Sequence, residues 1–476
     1  GHVTIHEYED RGNVVKTIDP MTNVTTHVYD DFDNEIATVD ALGHVSTSTY
    51  DSRGNKLTET DSLSNTVTYT YNSFNQPLTI KDARGHTTRY TYDVRGNLKT
   101  EQDAMGNLTT YTYDLSGNLL SRVDALGNVT SNEYDSLGRV VRSIDPRGVP
   151  TTYTYDANGN QTSSTFPISH SPFFITTSNV YDTANRLVKV VHPDGSFTET
   201  EYNEIGKETA RIDELGRRAE MEYNTRGELV RTVYPDSGVV SVGYDEEGRK
   251  VAETNQTGYV TLFEYDALGR QVATIHPDGA IEETIYDATG RAVESVDAQG
   301  NSTTYGYDEA GRRTAVTNAL GQVTQYEYDE NGNVTAITDA AGHTTEYVYD
   351  PLNRRTQVIF PDETTQTTTY DSLGRRIAET DQAGITTTFG FDELGRLLAV
   401  TNALNDVTRY EYDELGNQTA QIDANGHITR FEYDSRSRRT KRILPEGQIE
   451  TNAYDAIGNL VAKTDFNGMT TVYEYD

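Results

Sequence analysis

Short runs of β-branched and aromatic residues alternate along this chain with clusters of Asp, Asn, Gly and Ser, from one end to the other. Within a run the alternation has period two. In Val323-Thr-Gln-Tyr-Glu-Tyr328 the two rings fall on one face and Gln325 and Glu327 on the other. Runs of about six residues suit single strands, and the clusters between them suit tight turns. The pattern predicts an all-β chain of antiparallel hairpins joined as a meander.

The pattern is also a repeat. Tyr recurs at a 21-residue step, followed by Asp or Asn at all but Tyr8, where Glu9 follows: Tyr8, Tyr29, Tyr50 and onward to Tyr155, then Tyr181 to Tyr475, with Phe391 in one slot. Only the gap from 155 to 181 departs from the step, by five residues. A period of this size means one supersecondary unit copied many times, each unit packing on its neighbours. Residues 1–476 thus read as a single continuous array of about 22 units, a stretch of something longer. At roughly 4.8 Å per strand, some 44 strands make a ribbon on the order of 210 Å, and accumulated twist should curl it into a tube or spiral wall.

Each unit carries two turns. The first reads Tyr-Asp-x-x-Gly-(Asn/Arg), as in Tyr134-Asp135-Ser-Leu-Gly138, Tyr265-Asp266-Ala-Leu-Gly269 and Tyr328-Asp329-Glu-Asn-Gly332. Where the glycine is missing its place is taken by Asp33, Asn75, Asn185, Asn353 or Ser437. Four of these are the residues best suited to positive φ after Gly, so the slot needs the left-handed conformation that closes a type I turn. The Asp is expected to cap its own turn's amides. The second turn reads Asp-Ala-x-Gly, as in Asp40-Ala-Leu-Gly43. The ring two residues before many anchors (Tyr69, Tyr111, Tyr326, Tyr410) shares the anchor's face, which predicts aromatic ladders across the units.

Composition narrows the function. The formal net charge of −34 argues against nucleic acid and against anionic membranes as partners. No apolar run is long enough for a membrane helix, and membrane insertion is not expected. Without cysteine there is neither a disulfide framework nor a thiolate metal site. Aspartates recur at the same turn positions from unit to unit, which suits turn capping and not a catalytic pair or a calcium cage. His44, His86, His343 and His427 share a slot with Asn107, Asn128 and Asn301, so they read as polar turn residues. No catalytic, cofactor-binding or metal residue is assigned, no cofactor is expected, and the chain reads as non-enzymatic.

Two irregularities stand out. The five extra residues fall at a second turn, in Phe166-Pro167-Ile-Ser-His170-Ser-Pro172-Phe173-Phe174. Proline is excluded from ladder positions, so this is expected to project from the rim as a loop or plug, and it is the candidate contact site. Prolines 193, 235, 277, 361 and 445 sit in second turns at multiples of 42 residues, which points to duplication of a two-unit block or to alternating neighbours.

The unit Tyr-Asp-x-x-Gly-(Arg/Asn), repeated in phase over the whole chain, resembles the YD repeat of the Rhs family. Relatives include bacterial Rhs effectors, shell subunits of insecticidal toxin complexes, wall-associated proteins and teneurins. The resemblance implies a β-spiral that winds into a hollow shell, in bacterial members around a toxic polypeptide, and a secreted or cell-surface, bacterial setting. The expected partners are an enclosed polypeptide or neighbouring repeats of the same long chain. An adhesin or filament stalk that binds glycans is the alternative. Toxin-bearing relatives end in a self-cleaving segment rich in Asp-Pro-x-Gly. Here Asp145-Pro146-Arg147-Gly148 occupies an ordinary second turn, so autoproteolysis is not implied.

Overall fold

The computed structural model describes residues 3–168 and 174–475. It contains 45 strands in one antiparallel sheet, each strand paired with its neighbours in sequence. Six-residue strands such as Val323–Tyr328 alternate with five-residue strands such as Val334–Thr338, joined by five-residue loops. Two strands and two loops of these lengths make the 21-residue step. The all-β hairpin array expected from the pattern is the fold observed.

Both loops have the same backbone. In each, the first residue's amide donates to the fifth residue's carbonyl and the fourth residue's amide to the first residue's carbonyl, as at Asp135 N–Arg139 O (3.0 Å) and Gly138 N–Asp135 O (3.1 Å). The fourth residue takes positive φ throughout. Gly138 lies at 78°, and the non-glycine substitutes Asp33, Asn75, Asn185, Asn353 and Ser437 lie between 60° and 65°.

One regular feature was not foreseen. At Tyr-Asp hairpins from one end of the sheet to the other the ladder slips at the anchor: Glu133 faces Arg142, but Tyr134 faces Val140. The same slip separates Glu264/Ala273 from Tyr265/Gln271 and Glu327/Ala336 from Tyr328/Val334. The second-turn hairpins run without it, as from Arg142/Thr152 to Ile144/Pro150. The extra residue is a β-bulge, and it resolves a parity problem. An odd step would otherwise turn alternate tyrosines to opposite faces, whereas one bulge per unit keeps all the anchors on the same face.

The sheet has little conventional core. Its surface is 27039 Å², against roughly 18,000 Å² for a compact globular chain of this mass. Among the described residues, the buried apolar ones are Ala210, Ala273, Ala336, Val358 and Ala420. The four alanines share the middle position of a five-residue strand. Ala210, 0 % exposed, lies between Glu201 and Glu220 on the adjoining strands, and Arg218 binds both carboxylates (2.5 and 3.0 Å), so charged side chains cover the methyl group.

By packing, the chain forms two compact units. One comprises Gly1–Thr110 with Val242–Thr368, the other Tyr111–Ser241 with Thr369–Asp476. Each unit therefore brings together two stretches of ribbon far apart in sequence.

Candidate functional site: the turn rims and the inserted hairpin

The Tyr-Asp turn is built around its carboxylate. Asp135 Oδ1 accepts from the amides of Leu137 (2.9 Å) and Arg139 (3.0 Å), and Oδ2 accepts from Arg139 Nε (2.7 Å). Asn takes the same role in other copies, as Asn333 Nδ2 does toward Asp329 Oδ2 (2.8 Å). The second turn repeats the arrangement: Asp40 binds the amides of Leu42 and His44 (both 2.9 Å) and His44 Nδ1 (2.8 Å). Asn, Arg and His interchange in this slot because each can donate to the free carboxylate oxygen. The Arg139 amide and guanidinium hold the Asp135 carboxyl below the usual range, and at Asp40 burial pushes upward but the bonds from His44 and Leu42 outweigh it. The Asn55 side chain and amide, with help from the Arg53 amide, bring Asp51 down to about 2. At Asp392 burial pushes upward, but the bonds from Arg396 outweigh it and the net shift is downward.

The prolines spaced at multiples of 42 residues mark a variant of the second turn. With His192, Phe360 or another non-carboxylate residue first, the cap moves to the third position, where Asp194 and Asp362 accept from the amides of Ser196 (3.0 Å) and Thr364 (3.1 Å). The proline falls in the second slot, where its fixed φ suits a type I turn.

Among the described residues, successive anchors do not stack ring on ring as the expected aromatic ladder would have them. Successive anchors are two strands apart, on the order of 10 Å, which is beyond ring contact. A guanidinium fills the gap. Arg139 lies over the Tyr155 ring (4.7 Å), Arg270 over Tyr286 (4.5 Å) and Arg312 over Tyr328 (4.8 Å). The same arginine donates to the carbonyl that opens the next turn, as Arg312 Nη1 does to Asp329 O (2.8 Å). The anchor hydroxyl in turn reaches the carbonyl fifteen residues back: Tyr134 to Leu119 (2.9 Å), Tyr265 to Lys250 (2.7 Å), Tyr328 to Arg313 (2.7 Å). A Tyr-Asp turn that has both the tyrosine and the arginine, such as Tyr328-Asp329 joined to Arg312 and Arg313, is thereby bound to its neighbouring unit twice over.

Within each unit, the second turns of the earlier stretch lie on the Tyr-Asp turns of the later one. In the first unit Met21 meets Arg270, Asp82 meets Asn331 and Met105 meets Arg354, all 249 residues apart. The most developed contact is at Arg84. Its guanidinium donates to the carbonyls of Tyr349 (3.2 Å) and Asp350 (3.4 Å) and to Asn353 Oδ1 (3.2 Å), and lies 3.3 Å from the Asp329 carboxylate. Asp350 O stands where an arginine at 333 would donate, but that position is Asn333. Arg84 supplies the missing guanidinium from the other stretch. In the second unit Asp194 meets Arg438 (4.0 Å) and Glu214 binds Arg436 (2.7 Å). The 194–438 separation is shorter than 249 by the five inserted residues, so the insertion leaves the register of the contact unchanged. Sequence reasoning missed this seam, because a contact 249 residues long leaves no local signal. Its one trace is the Met, Leu or Arg in the third slot of the early second turns, from Met21 to Arg147.

The inserted segment is in part strand. Gln161–Pro167 and Phe174–Tyr181 extend the hairpin, with Phe166 opposite Ile175 and Pro167 opposite Phe174. Pro167 therefore stands at a ladder position, contrary to the expected exclusion. It is the last residue of its strand, where the lost N–H costs least. His170, Pro172 and Phe173 lie outside the described residues. Phe174 is exposed, and with Ile168, Ile175, Leu415 and Phe431 it lines a cleft of about 600 Å³ whose edge carries Asp413, Glu414, Glu432 and Asp434. Among the described residues, no group of three or more His, Asp or Glu could hold a metal ion, and no helix is long and apolar enough to cross a membrane.

A sequence model of the family described as Teneurin YD-shell matches residues 3–197, 128–291 and 278–468. The crystal structure of TcdB2-TccC3-TEV superposes with a TM-score of 0.68 at 16% identity, over 99% of this chain and 32% of that one. The Photorhabdus luminescens Tc holotoxin pore carrying a mutant TccC3 gives 0.68 at 15%, over 97% and 31%. The crystal structure of TcdB2-TccC3 gives 0.67 at 15%, over 99% and 32%. At these identities the likeness is one of fold, and the chain spans about a third of those chains' length. No curated protein matches.

Proposed function

Because the chain belongs to the Teneurin YD-shell family, we propose that it is a non-enzymatic stretch of wall in a secreted or cell-surface shell, and that the shell encloses or presents a polypeptide. A structural, shell-forming role follows from family and fold. The observation that carries the finer reading is the use made of the polar groups. The same Asp-centred network is rebuilt turn after turn, and the side chains that elsewhere would serve chemistry are spent on joining unit to unit and stretch to stretch. A wall needs that uniformity, and a catalytic site does not.

A toxin-like polypeptide cargo and a bacterial source are part of the same proposal, on the likeness to the Tc structures. Electron microscopy of the full-length protein containing this segment should show a hollow body with density inside it. Limited proteolysis should spare the enclosed polypeptide until the wall is denatured. A solid rod, or cargo digested as fast as free polypeptide, would count against the proposal.

A further inference from the structure

One face of the sheet gathers carboxylates and apolar side chains without cations to meet them. It lies in the later stretch of the first unit, from the strand Val260–Tyr265 to the strand Thr344–Tyr349. There the residues that share a face with Ala273 and Ala336 include Glu264, Glu283, Glu294, Glu327 and Glu346 but no lysine or arginine. Arg313, on an intervening strand, lies over the rings of Tyr305 and Tyr326 on the other face. Leu262, Ile281, Ile285 and Val348 stand among the carboxylates at 42–49 % exposure. Glu264, Glu283, Glu327 and Glu346 are exposed and, among the described residues, hold no ion pair.

Four of these glutamates belong to an arrangement that occurs three times at a fixed interval. A buried alanine in mid-strand has a glutamate opposite it on each adjoining strand: Glu201–Ala210–Glu220, Glu264–Ala273–Glu283 and Glu327–Ala336–Glu346. In the first copy Arg218 closes the pair. Its guanidinium donates to both oxygens of Glu201 (2.5 and 2.9 Å) and, through Nε, to Glu220 (3.0 Å), and Ala210 beneath it is 0 % exposed. The matching residue is Ile281 in the second copy and Thr344 in the third, and there Ala273 and Ala336 keep 8 % and 7 % exposure.

We propose that the two open glutamate pairs are binding sites for guanidinium groups, and that this face docks a polypeptide segment carrying arginines among apolar residues. A guanidinium is the indicated ligand because the chain itself sets one on the third copy of the same arrangement. Its planar fork serves two carboxylates at once, which a point-like ammonium does less well. Apolar neighbours in the ligand answer Leu262, Ile281 and Ile285. The open pairs lie six strands apart, on the order of 29 Å along the sheet, which about nine residues of extended chain span. Two weak contacts joined by a linker that fits the span bind more tightly than either alone. The inference concerns a face of the sheet and stands whether or not the shell encloses a polypeptide.

The test is fluorescence anisotropy of a labelled peptide, with two arginines set that far apart in a background of serine and valine, titrated with the intact 476-residue chain at physiological ionic strength. The peptide should bind, and Glu264→Gln/Glu283→Gln should weaken it about tenfold by leaving a single pair. Ile281→Arg, which supplies at the second pair what Arg218 supplies at the first, should have the same effect with unchanged circular dichroism. Should the glutamine variant fail to fold, Ile281→Arg carries the expectation alone. Glu204→Gln/Glu393→Gln removes as much charge from turns away from this face and should leave binding unchanged. A peptide with lysine in place of arginine should bind more weakly. Absence of binding would overturn the proposal, as would Ile281→Arg binding like wild type. Equal binding of the lysine peptide, or equal loss in the Glu204→Gln/Glu393→Gln chain, would reduce the effect to general attraction by an acidic protein and overturn it as well.

Discussion

At the scale of the residue, the recurring Tyr, Asp and Arg of the unit each have a bond that accounts for them. The anchor is a tyrosine because its hydroxyl serves a carbonyl fifteen residues back, and Phe391 is the natural exception that leaves Arg376 O without that donor. Phe391→Tyr should therefore stabilise the array by about 1 kcal/mol, and Tyr412→Phe, which removes a 2.9 Å bond to Leu397 O, should destabilise it by about the same amount in denaturant titrations. The carboxylates give a pH dependence. Asp30, Asp51, Asp135, Asp182, Asp266 and Asp392 all have folded values below the ordinary one. Their stabilisation is complete above the unfolded value near 4 and disappears as pH falls through the folded values, down to about 2 at Asp51. The melting temperature should be level from neutral pH to about 5 and fall steadily below about 4.

At the scale of the element, strands and turns were legible almost completely. The period-two pattern placed the strands, and substitution of Gly by Asp and Asn marked the left-handed slot now seen at Asp33 and Asn75. The bulge was not legible, because the residues it displaces, Val141, Val272 and Thr335, are ordinary strand formers and carry no mark. The aromatic ladder was misjudged because same-face alternation says nothing of the distance between copies. That gap is bridged by Arg139, Arg270 and Arg312, which the sequence shows only as turn residues. Not every left-handed slot is well filled. Glu363 sits at φ 65° with no short polar side chain to suit it, and Glu363→Gly should raise stability by about 0.5–1 kcal/mol, readable as a rise in melting temperature.

At the scale of the whole molecule, most of the candidate site was hidden from the sequence. The inserted hairpin could be located by its broken step, but the seam depends on which distant units meet. Arg84 and Asn333 show the logic: one copy lacks a guanidinium and a turn 249 residues away in register supplies it. Arg84→Ala should cost about 2–3 kcal/mol, the scale of lost charged hydrogen bonds to half-buried carbonyls. Asn333→Arg should recover much of that loss in the Arg84→Ala background but clash with Arg84 in the wild type. A double-mutant cycle on thermal unfolding reads that change of sign.

The bulge repeated at the anchors reaches beyond geometry into heredity. An odd unit that flipped its faces at each copy could be inherited only in pairs, since a single duplication would turn everything downstream inside out. With the flip undone inside each unit, copies can be gained or lost one at a time and every later tyrosine still points the right way. Length in this array is free to vary by single steps, and selection can adjust the size of the wall without redesigning it.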